Sequence, residues 1–167
     1  MIWKNEFRHR MGSFEKTYPK EGNAKSISIK IRVSSGCYHR EHSPRAYRII
    51  DEYLYLNPSN EFDFVEHESG PEILVWVIVK TVVNLTSSVI NLVTTIIKAR
   101  KEGIKQGDRP REELELIIRG FDENGKIKEE KVLKIKSWDD VSKDLIEKSL
   151  INSLNRMFLK DESKKKK

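Results

Sequence analysis

Residues 73–97 read ILVWVIVKTVVNLTSSVINLVTTII, and the secondary structure assigned to this stretch decides the fold. Its Val, Ile and Thr content favours a strand, whereas its polar residues favour a helix. Lys80, Asn84, Ser87, Asn91, Thr94 and Lys98 recur at intervals of four, three, four, three and four residues, the spacing of one stripe on a helix. Upstream, Ser69-Gly70-Pro71-Glu72 has the form of a helix start: a small cap residue, a proline in the first turn and an acid at the positive end of the dipole. The spacing therefore predicts one long apolar helix over about 71–102, stopped by Gly103 and spanning roughly 45–50 Å at 1.5 Å per residue.

On its N-terminal side, Ile27, Ile29, Ile31 and Val33 alternate with Ser26, Ser28, Lys30 and Arg32, the two-residue period of a strand over 25–33. The β-rich run Tyr47 to Leu56 and the segment around Phe62, Phe64 and Val65 read as two further strands about the Asn57-Pro58-Ser59-Asn60 turn. On the C-terminal side, Leu114–Phe121 and Lys126–Lys136 flank Asp122-Glu123-Asn124-Gly125, whose Asn-Gly pair suits a tight hairpin. Ser137 with Asp140 forms an approximate capping box for a last helix with Val141, Leu145, Ile146, Leu150, Leu154, Met157 and Phe158 on its apolar face. The expected class is α+β in the order β-β-β-α-β-β-α, a mainly antiparallel sheet packed against the long helix and a C-terminal helix.

Three segments follow. Residues 1–24 carry no sustained period and are broken by Gly12, Pro19 and Gly22, so they read as a loosely ordered basic arm in which Met11 offers a second start. Residues 25–160 form the single domain, and 161–167 a lysine-rich tail. A chain of 167 residues, 37% hydrophobic and 35% charged, suits one folded domain with a heavily charged surface. Its single cysteine rules out an intrachain disulfide framework, and the N-terminus lacks the apolar core of a signal peptide, which together indicate a cytoplasmic setting.

The net charge of +6 is unevenly distributed. Residues 1–48 hold eleven Lys or Arg against four Glu, whereas residues 49–72 hold seven acids and no Lys or Arg. Arg8, Arg10, Lys25, Lys30, Arg32, Arg40, Arg45 and Arg48, with Trp3, Phe7 and Tyr38 nearby and the tail Lys164–Lys167, form a candidate nucleic-acid surface without a recognised binding motif.

Cys37, His39 and His42 lie within six residues, and His67 is the candidate fourth ligand of a metal site. Cys-x-His-x-x-His is not an established ligand spacing, so an ordinary polar loop is the simpler interpretation. Glu66-His67-Glu68 offers acid–base groups without the rest of a hydrolase constellation, and Gly103–Asp108 lacks the phosphate-loop pattern. The sequence nominates no catalytic residue and no cofactor.

A helix over 73–97 is long enough to span a bilayer, but Lys80 alone would cost about 2.5–3.5 kcal/mol at its centre, which disfavours insertion. In water its apolar face is wider than a surface helix carries. Lys80, Asn84, Ser87, Ser88, Asn91, Thr94 and Thr95 make a weakly polar stripe suited to close helix–helix approach. The sequence thus points to a non-catalytic module that forms a homodimer through this stripe or binds another protein, with nucleic-acid binding and membrane association as the alternatives.

Overall fold

The computed structural model describes residues 2–18, 25–33, 40–66, 72–79, 85–108, 113–122, 124–136 and 139–159. The fold is α+β. Helix α1 (Ile2–Thr17) precedes β1 (Lys25–Val33), α2 (Pro44–Leu56), β2 (Phe62–Glu66), β3 (Glu72–Val79), α3 (Ser87–Lys105), β4 (Leu114–Phe121), β5 (Ile127–Ile135) and α4 (Lys143–Leu154). A π-helical turn, Asn155–Leu159, extends α4. The five strands form one antiparallel sheet in the order β2-β3-β1-β4-β5.

β1 is the middle strand, and its alternation divides the molecule into layers. Ile27, Ile29, Ile31 and Val33 point into the main core with Ile73, Val75, Val77 and Val79 of β3 and Leu114, Leu116 and Ile118 of β4. Helices α2, α3 and α4 close that core. The opposite face carries Leu74 and Trp76, on which Phe7, Met11 and Phe14 of α1 form a second, smaller core. Phe7 lies 5.5 Å from Trp76 and 5.1 Å from Phe121 between ring centroids.

Residues 73–97 are not one helix. β3 occupies 72–79 and α3 begins at Ser87, while Lys80 and Asn84, with the helix-start motif Ser69–Pro71, lie outside the described residues. The physical reason is burial on two sides: Ile73, Val75 and Val77 face the main core and Leu74 and Trp76 face α1. A strand covered on both faces has no polar alternation to betray it, so it reads as a continuous apolar run. The helical period is real only from Ser87 onward.

Two other segments differ from the sequence reading. Residues 44–56 are helical rather than extended, because Ala46, Tyr47 and Ile50, with half-buried Tyr53 and Leu54, put the apolar side chains on one helical face and Pro44 sits in the first turn. Residues 2–17 form a helix, not a loose arm: Phe7, Met11 and Phe14, at spacings of four and three, are a short stripe that needs Leu74 and Trp76 to bury against. The β4–β5 hairpin agrees with expectation, with Gly125 at φ 77° in its turn. Helix α4 starts later than expected: Ser142 caps it by accepting from the Leu145 amide at 3.1 Å, while Ser137 lies outside the described residues.

Helix α3 runs through Gly103 to Lys105, and a glycine at φ 116°, Gly107, follows it. Gly103 serves packing rather than termination. The N-cap position of α2, Ser43, makes no side-chain cap, and the job passes to Asp108 from the far end of α3. Its carboxylate accepts the backbone amides of Arg45 at 3.2 Å and Ala46 at 3.0 Å, two donors that a helix start leaves unsatisfied. A Cβ on Gly103 would collide with that carboxylate and come within 2.9 Å of the Ala46 nitrogen.

Replacing Asp108 by Ala is expected to lower unfolding stability by about 1–2 kcal/mol in a urea titration. Gly103→Ala should also lower it, although alanine is the better helix former by about 1 kcal/mol. Unchanged midpoints for both variants would remove the capping account.

Candidate anion-binding cleft

The last two turns of α3 place Lys98, Lys101 and Lys105, spaced three and four residues apart, along one stripe. The stripe borders a cleft of about 270 Å³ whose other wall includes Lys136, Asp139, Asp140 and Val141 of the β5–α4 connection. Its floor comes from Ile97 of α3 and from the cross-strand neighbours Leu114 and Ile135 at one end of the β4–β5 ladder. Arg100, buried at 3% exposure, also lines it.

Lys136 and Asp139 of the connection are tied together. The Lys136 amide donates to the Asp139 carboxylate at 2.9 Å, and the Asp139 amide donates to the Lys136 carbonyl at 3.0 Å. The next residue, Asp140, reaches across the cleft to Lys101, with Nζ to Oδ1 at 2.6 Å, while its side chain is 98% exposed. The hydrogen bond from Lys101 first, then the positive charges of Lys101, Lys105 and Lys98, holds the Asp140 carboxyl below its ordinary value. Glu102 is engaged along the helix, accepting from Gln106 at 3.1 Å. Lysines near a helix C-terminus also complement its dipole, which accounts for part of the stripe without a ligand. The apolar floor beneath them is the edge of the main core, with Ile97, Leu114 and Ile135 each about 5% exposed or less.

Among the described residues, the lining contains no His, Cys, Ser, Thr or Tyr. What surrounds the floor is five basic side chains, Lys98, Arg100, Lys101, Lys105 and Lys136, against the three carboxylates of Glu102, Asp139 and Asp140, a net positive arrangement that suits holding an anionic group.

The residues nominated from sequence are distributed over several sites. Along α3, Ser87 is exposed, Ser88, Asn91 and Thr95 are half-buried, and Thr94 turns inward to donate to the Ile90 carbonyl at 2.7 Å. The apolar arc behind this stripe, including Val89, Leu92, Val93, Ile96 and Ala99, is buried by the sheet and the other helices of the same chain. The basic residues do not converge. Arg8 and Arg10 lie on α1, and Lys30 and Arg32 lie on the sheet face that α1 covers, Lys30 at 2% exposure. Arg40, Arg45 and Arg48 belong to α2 and its approach, across the sheet from α1. Several are already engaged: Arg40 pairs with Asp51 at 2.5 Å and Glu66 at 2.9 Å, Arg32 with Glu115 at 3.0 Å, and Lys25 lies 4.9 Å over the Phe158 ring.

His42 is exposed, and Cys37, His39 and His67 lie outside the described residues, among which no group of three or more His, Cys, Asp or Glu gathers in metal-binding fashion. No helix among the described residues is long and apolar enough to cross a membrane. The bilayer reading of 73–97 is corrected with the helix on which it rested.

Sequence reasoning missed the cleft. The Lys98, Lys101 and Lys105 stripe was visible as helical spacing, but its floor depends on pairing Leu114 with Ile135. Comparison with known families, curated proteins and solved structures finds no match.

The Arg32–Glu115 pair has a measurable consequence for stability. Glu115, 3% exposed, lies opposite Arg32 across the β1–β4 ladder and also meets Lys131 of β5 at 2.9 Å. Its carboxyl is lowered by the Lys131 hydrogen bond above all, with Arg32 adding and burial opposing. A folded-state value below the unfolded one stabilises the protein above the ordinary Glu value of about 4.3, and this contribution is lost as pH falls through the lower folded value. Glu115→Gln should therefore cost about 1–2 kcal/mol at pH 7, with the gap to wild type narrowing in urea titrations as pH falls below 4. A gap independent of pH would contradict this role for the carboxylate.

Proposed function

We propose that the protein is a non-catalytic binding module whose cleft between the end of α3 and the β5–α4 connection receives an anionic group of its partner. The observation that carries this reading is the gathering of Lys98, Lys101, Lys105 and Lys136 around an apolar floor, with a carboxylate of the chain's own already seated on one of them. Opposite charge draws an anion to such a site. The floor favours a partner with apolar as well as charged character.

Binding is favoured over catalysis by the basic character of the described lining residues. Association of two copies through α3 has less support than the sequence suggested, since the apolar arc that called for a partner is covered within the chain. The single cysteine supports a reducing, cytoplasmic setting.

Titration of the isotope-labelled full chain with inorganic phosphate tests the reading by amide chemical shifts. Saturable shifts concentrated in residues 98–105 and 136–141 are expected, weakening with added salt. Shifts centred instead on Arg8, Arg10 and the rest of α1, or spread over all basic residues without saturation, would overturn it.

A further inference from the structure

Asp140 makes an exposed ion pair at the rim of the cleft. Its side chain is 98% exposed, and its carboxylate stands 2.6 Å from a lysine across a cleft. The neighbouring Asp139 is tied to Lys136 by two hydrogen bonds, which anchor the backbone beside Asp140. No other contact of the Asp140 side chain is recorded among the described residues, so its hold on the site rests on one exposed ion pair, a weak interaction in water. A free carboxylate arriving at Lys101 would replace that contact and gain in addition the apolar floor and the charges of Lys98 and Lys105, which Asp140 meets only at a distance.

We infer that Asp140 is a tethered competitor occupying the anion position of the cleft, and that the natural ligand is a small amphiphilic acid whose head group displaces it from Lys101 while its apolar body lies on Ile97, Leu114, Ile135 and Val141. This inference rests on the cleft reading proposed above and adds the class of ligand and the means by which its binding is restrained. The volume, about 270 Å³, falls just below the usual range of small-molecule sites, roughly 300–1,000 Å³, and so restricts the ligand to a small one.

The test uses hexanoate as probe and hexanamide as its uncharged counterpart, with binding to the full chain followed by amide shifts in wild type, Asp140→Asn and Glu102→Gln. Both substitutions remove one negative charge from the lining, but only the first releases Lys101. Asp140→Asn is expected to bind hexanoate about three- to fivefold more tightly than wild type. Glu102→Gln should gain less than about twofold, the effect of a nearby charge screened by solvent, and hexanamide should bind more weakly than hexanoate to all three proteins. Equal gains from the two substitutions, or no gain from Asp140→Asn, would overturn the competitor. Hexanamide binding as tightly as hexanoate, or hexanoate failing to shift the cleft while phosphate still does, would overturn the amphiphilic acid. Failure of both hexanoate and phosphate at the cleft would remove the binding reading beneath them.

Discussion

The burial of β1 on both faces is the constraint from which the other layers follow. Its Ile27, Ile29, Ile31 and Val33 commit one side of the sheet to an apolar core, and that core has to be closed by helices. Its Ser26, Ser28, Lys30 and Arg32 commit the other side to polar groups that are nonetheless 29% exposed or less. A charge removed from water is tolerated when it is paired. Glu115 is accordingly placed opposite Arg32, and Arg119 meets Glu129 at 2.6 Å. Helix α1 then closes the apolar part of that face through three side chains on Leu74 and Trp76. Because β3 is sandwiched between the two cores, it must be apolar at nearly every position.

That sandwich explains how the sequence misled. Where one face of an element meets water, its period was readable: β1 alternates, α3 shows its polar stripe from Ser87 onward, and the Asn124-Gly125 pair marks the hairpin. Where both faces are buried, the pattern disappears, and the polar spacing of α3 extrapolates backward through Lys80 to engulf β3. In α2 the β-favouring Tyr and Ile residues outweighed a helical spacing that was present but short. In α1 the stripe of Phe7, Met11 and Phe14 becomes meaningful only once a second strand supplies the surface for it. The α+β class survived these errors because the helices and strands exchanged places without changing the kind of architecture.

The candidate site was less legible than the fold, for a related reason. Residues close in sequence, such as Cys37, His39 and His42, attract attention because their spacing is visible, whereas the cleft unites α3, the ends of β4 and β5 and a turn. Only its lysine stripe can be read locally. The same holds for Asp108, which caps a helix beginning more than sixty residues earlier in the chain and whose partner amides carry no sequence signature. Charge counted along a chain says nothing about sides of a sheet: among the described residues of the basic first third, the arginines and lysines lie on α1, beneath α1 and across the core from it.

Cross-strand nuclear Overhauser effects between residues 25–32 and 72–79 test the two-sided strand most directly. Contacts in the antiparallel register that pairs Ile29 with Val75 and Ser28 with Trp76, with helical sequential contacts beginning only near Ser87, are the result this account predicts. An unbroken helical pattern through residues 73–97, with no contacts to β1, would contradict it and dissolve both cores as described.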